Sequence, residues 1–179
     1  CNVEKKKAEG CSIFISTRKG KVWGEPKKLQ IKIDSLGTAG HPALNGDETV
    51  LIFSSDMSGG YGGKDLWMVK KEQRGKWSLP INLGPAVNTS GDEMFPFLHN
   101  DASLYFASNG HIGMGGMDIF KSVEDENGAY SNIINLKSPV NSSGDDFGMI
   151  IEASGERGYL TSDRDGGKGG DDIYQFELP

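Results

Sequence analysis

Much that commonly announces a function is scarce in this sequence. Cysteine occurs only twice, at Cys1 and Cys11, too few for a disulfide framework or a zinc site. A Cys1–Cys11 bridge would suit an oxidising compartment, but nothing in the spacing demands it. Lys and Arg total 19 against 25 Asp and Glu, for a net charge of -6; a phosphate backbone needs a basic face, so nucleic acid is a poor partner. No apolar run approaches the ~20 residues of a membrane helix. No stretch shows helical periodicity. Proline is sparse at 7, and the three histidines, His41, His99 and His111, share no metal-ligand spacing. No Gly-x-Ser-x-Gly elbow supports a serine nucleophile. No cofactor is implied.

Glycine is abundant, at 26 residues, and is spread among β-branched and aromatic residues, the composition of many short strands joined by tight turns. It also recurs in register. "SDMSGGYGGKDLW" begins at Ser55, "SNGHIGMGGMDIF" at Ser108 and "SDRDGGKGGDDIY" at Ser162, offsets of 53 and 54. In each, a Gly pair precedes an Asp (Asp65, Asp118, Asp172), and an aromatic follows two residues later. "WGEPKKL" at Trp23, "WSLPINL" at Trp77 and "YSNIINL" at Tyr130 repeat in step, as do "PAVNTSGDE", "PVNSSGDD" and the weaker "IDSLGTAGH". "EGCSIFIS" near the N-terminus matches the end of such a unit.

Repeats of this length mark propellers and solenoids. Each unit reads as four short strands: one around Gly-Asp-Glu or His-Pro, an "LYF" strand, a "DIF" strand, and one led in by Trp-x-x-Pro-x-x-Leu. That is a propeller blade. The expected architecture is therefore all-β, with blades of four antiparallel strands. Residues 1–22 are the tail of a preceding blade, and repeats follow at about 23–76, 77–129 and 130–179. A strand follows each glycine loop, whereas a dinucleotide fingerprint needs a helix there. The glycines are expected to supply positive φ angles, and the Asp to bond turn N–H groups.

"LYFASNGHIGMGGMDIF", "NLKSPVNSSGDD" and "WSLPINLGPAVNTSGDEMFPFLHNDASLYFASN" resemble TolB-like, WD-type propeller repeats, in the form placed ahead of OmpA-type peptidoglycan-binding domains in cell-envelope proteins of gliding and related bacteria. The likeness covers about residues 10–177. It implies a ring of six or more blades, of which this chain holds about half, and a place in the periplasm at the outer membrane. It implies envelope-protein partners, as in the propeller of PorE-like components of the type IX secretion apparatus, and peptidoglycan through a flanking domain. Cys1 fits the lipidated first residue of a bacterial lipoprotein, although a chain cut at that point is the simpler reading.

Residues present in every blade are expected to build the blade: Asp65, Asp118, Asp172, Trp23, Trp77 and Tyr130. His41 precedes Pro42 as Phe95 precedes Pro96, another framework position. Function is expected where blades differ. In the glycine loops these positions are Met57, Ser58 and Tyr61, then His111, Ile112 and Met114, then Arg164, Asp165 and Lys168. Of these, Tyr61, His111, Ile112, Met114, Arg164 and Lys168 are the candidate partner-binding residues. Asp163, Asp165, Asp171 and Asp172, with Asp92, Glu93, Asp145 and Asp146, could hold calcium, but their repetition points to a structural role. The expectation is a non-catalytic binding and scaffolding module. The alternative is a glycan-binding or glycan-cleaving propeller with acidic residues in its central funnel, where cleavage needs two carboxylates facing each other across roughly 5–10 Å.

Overall fold

Runs such as Val50-Leu51-Ile52-Phe53 and Leu104-Tyr105-Phe106-Ala107 do not alternate with polar residues. A strand reads this way when both its faces are covered. The computed structural model, which describes residues 10–34 and 37–177, shows what covers them. Strands β5 (Ala39–Leu44), β6 (Val50–Ser55), β7 (Asp65–Lys70) and β8 (Ile81–Asn82) form an antiparallel sheet in chain order. So do β9 (Glu93–Leu98), β10 (Ser103–Ser108), β11 (Asp118–Val123) and β12 (Ile134–Asn135). The last sheet has three strands, β13 (Asp146–Ile151), β14 (Arg157–Ser162) and β15 (Asp172–Glu177). The first strands lie side by side, β5 against β9 and β9 against β13, so the sheets fan out like propeller blades from an inner edge. The ring does not close within the described residues. Cys1, and with it the lipidation and disulfide readings, lies outside them, as do Ser35 and Leu36.

The N-terminal region contributes β1 (Phe14–Ile15) paired with β4 (Lys27–Lys28), and β2 (Arg18–Lys19) paired with β3 (Val22–Trp23). The register identifies them. Phe14 faces Lys28 as Trp67 faces Asn82 and Phe120 faces Asn135. Leu29 N–H donates to Ile13 as Leu83 does to Leu66 and Leu136 to Ile119. β1 and β4 are thus the third and fourth strands of a preceding blade. Each four-stranded sheet takes its fourth strand from the start of the next sequence repeat, so sheets and repeats are out of phase.

The core lies between blades. Leu51, Phe53, Trp67 and Val69 face the preceding blade's Ile13, Leu29 and Ile31. From the same strands, Ile52, Leu66 and Met68 face Val87, Leu104, Phe106 and Phe120 of the next. Tyr105 and Ile119 then pack on Val140, Met149 and Leu160. Trp23, Trp77 and Tyr130 close one recurring bridge, to Arg18, Lys71 and Glu124 in turn. Their burial differs: Tyr130 is 4% exposed and Trp23 65%. Burial and the nearby Glu124 charge push the Tyr130 hydroxyl up to about 12.

Candidate functional site

The loops between second and third strands form one rim, and a repeated hydrogen-bond frame holds them. The Asp65 carboxylate accepts from the Tyr61 and Gly62 N–H groups at 2.7 and 3.1 Å. Asp118 accepts from Met114 and Gly115, and Asp172 from Lys168 and Gly169. A second acid ties the first two loops to the Gly-Asp segment ahead of the next sheet: Lys64 N–H donates to Asp92 at 2.8 Å, and Met117 N–H to Asp145 at 2.7 Å. Asp145 N–H in turn donates to Asp163. These carboxylates are occupied as turn caps. Among the described residues no three His, Cys, Asp or Glu side chains are grouped to hold a metal.

The repeated glycine pairs serve a purpose other than the expected one. Positive φ occurs at Gly59 and Gly166, not at the pairs. A Cβ on Gly62 or Gly115 would instead run into backbone carbonyls of Gly91 or Gly144. The first two pairs are glycine because two loops touch there.

The variable side chains divide into two groups. Tyr61, Ile112 and Met114 stand out from the rim, 52%, 97% and 48% exposed, and Lys168 is exposed beside them. Met57, expected there too, is buried against Trp67. His111 and Arg164 depart from the expectation in the same way, and for one reason. From adjacent positions of the repeat, both side chains reach the turn ahead of the blade's first strand and bond its carbonyls. His111 Nε2 bonds Val87 O at 2.8 Å, with its ring 5.0 Å from that of Phe120. Arg164 donates to Pro139 O and Val140 O and pairs with the fully buried Asp146 at 2.6 Å. Both side chains are latches.

Along the inner edge, β5, β9 and β13 each carry a bulge, where His41, Phe95 and Gly148 adopt φ of 46°, 52° and 63°. Only Gly148 does so without a Cβ penalty. The extra residue turns rings inward: His41 stacks on Phe95 at 4.0 Å, and Phe95 meets Phe147 at 4.8 Å. A groove of about 290 Å³ runs beside them, lined with Pro42, Pro96, Phe97 and Met149. Burial and the Lys64 charge lower the His41 pKa, favouring the neutral imidazole. Among the described residues no carboxylate lines this groove. The inner-strand acids are buried elsewhere: Glu93 accepts from Thr89 and Ser108, and Asp146 from Ser142 and Arg164.

Two framework residues escaped the sequence reading. Asn88 and Asn141 are buried, and their amides copy a strand edge. Asn88 accepts from Leu66 N–H and donates to Leu66 O, and Asn141 does the same with Ile119. Their recurrence in "VNTSGDE" and "VNSSGDD" was the available signal.

No family model matches the chain, and no curated protein matches it in sequence. Solved structures do. A puromycin-hydrolyzing peptidase of Mycobacterium tuberculosis superposes with a TM-score of 0.58 at 14% identity, over 96% of this chain and 30% of the peptidase. A protein described as a TolB from Agrobacterium tumefaciens gives 0.44 at 13% identity, over 86% of this chain and 70% of that one. An α-L-arabinofuranosidase from Lactobacillus brevis gives 0.43 at 9%, over 86% and 56%. The chain thus spans under a third of the peptidase, and the likeness is one of fold.

Proposed function

We propose that the protein is a non-catalytic β-propeller module that binds and positions other proteins of a bacterial cell envelope. The observation that carries this reading is the rim: neighbouring loops are locked by a repeated carboxylate frame while their tips hold Tyr61, Ile112 and Met114 in solvent. Large apolar side chains on rigid supports suit protein recognition. The likeness of the repeats to envelope propellers supports a setting in the periplasm, at the outer membrane, and a ring of six or more blades. A type IX secretion assembly or a peptidoglycan-anchored complex is the setting proposed. The acids that would serve glycan cleavage are buried and hydrogen-bonded, which favours binding over catalysis. Glycan binding at the stacked rings of His41, Phe95 and Phe147 is the second reading; pull-down on cell-wall sacculi decides it.

A photo-crosslinking residue at Ile112, used in intact cells, tests the first. The expected result is a discrete adduct with an envelope protein that a probe at Glu156, on the opposite face, does not form. Identical adducts from both positions, or none from Ile112, would sink the proposal.

A further inference from the structure

On the face opposite the rim lies a cleft of about 740 Å³, between β4 and the segment that joins β7 to β8. Lys28, Lys32, Lys71 and Lys76 surround it with one acid, Glu72, and Ile15, Leu29, Leu79 and Trp77 form its apolar wall. In a chain of net charge -6, this is a local reversal of sign. Among the described residues, none of the four lysines is in an ion pair.

The repeat supplies a control. The positions equivalent to Lys28 are Asn82 and Asn135, and the one equivalent to Lys71 in the next blade is Glu124. Ala86 and Ala129 stand where Lys32 and Lys76 do. The same β-bridge and the same strand pairing form in the next blade with no lysine at these four positions. The fold therefore does not need these charges.

We infer that this cleft binds an acidic, partly apolar peptide segment of a partner protein. The inference rests on reading the protein as a binding module and adds a second surface to it. Lysines are compact charges on flexible stems and read negative charge rather than a planar fork. The Trp77 ring already has the Lys71 ammonium 5.9 Å from its centroid. The remaining apolar wall is aliphatic, suited to Leu or Val side chains rather than to stacked sugar rings.

The test is fluorescence anisotropy with a labelled peptide of alternating Glu and Leu. Saturable binding is expected, weakening as salt shortens the Debye length. Together, Lys28→Glu, Lys32→Glu, Lys71→Glu and Lys76→Glu should weaken it on the order of tenfold or more, since each exposed pair adds little alone. Leu79→Ser should weaken it further, and polyglutamate should compete poorly. Absence of saturable binding, or binding indifferent to the charge reversals, would overturn the inference. Equal competition by polyglutamate would remove the apolar part of the ligand, and preferred binding of polygalacturonate would replace peptide by acidic glycan; both outcomes overturn it as stated. Tyr61→Ala with Ile112→Ala and Met114→Ala should leave peptide binding unchanged, so cleft and rim fail separately.

Discussion

Ile119 and Ile173 occupy the same step of the same repeat, yet one is 0% exposed and the other 78%. The difference lies in what comes next along the fan. Ile119 faces Val140, Met149 and Leu160 of the following blade, while no described blade follows Ile173. The glycine pairs report the same contrast. A Cβ at Gly115 would strike the Gly144 carbonyl, whereas one at Gly169 would meet open space. At the other end, Trp23 is exposed where Tyr130 is buried. A blade is thus half a core. Its residues carry the pattern of burial, and a neighbour completes it.

The middle and last blades also differ in their latches, and the largest effect is expected there. Arg164→Ala leaves the buried Asp146 carboxylate without its cation, and should cost about 3–5 kcal/mol. His111→Ala, one position further along the repeat, loses one hydrogen bond and some ring packing, about 1–2 kcal/mol. Denaturant unfolding of both compares them directly. Asp146→Asn added to Arg164→Ala should recover part of the loss; if it does not, the ion pair is not what the latch protects.

Next in size is the core contrast. Ile119→Ala should cost about 2–4 kcal/mol by opening a cavity, and Ile173→Ala under about 0.5 kcal/mol. Equal costs in the native protein would mean that the Ile173 face is covered there. The smallest effect is at the glycines. Gly115→Ala should cost about 1–3 kcal/mol because the opposing backbone must move, while Gly169→Ala should be close to neutral. The midpoint of thermal unfolding suffices to rank them.

The blade was legible because its signals are local and repeated. Asp65, Asp118 and Asp172 sit a fixed distance after their glycines, and turn N–H groups take that geometry wherever the spacing recurs. The rim was legible only in part. Ile112 and Met114 stand outward, but His111, Arg164 and Met57 turn in, and no rule of composition separates them. The turn carbonyls of Val87 and Val140 that hold His111 and Arg164 lie more than 20 residues away in sequence. The lysine cleft was invisible for a similar reason: Lys28 and Lys32 meet Lys71 and Lys76 only when two blades pack.

By itself, the amino-acid order determined the strand repeat, its period of 53 or 54 residues and its all-β character, because turn chemistry and apolar runs act over a few neighbouring residues. Only the tertiary structure decided which repeated positions are core, which variable side chains face solvent, and why the first two glycine pairs must be glycine. Those outcomes depend on the backbone and side chains of an adjacent blade, and a residue's burial is a property of the pair of blades rather than of either one.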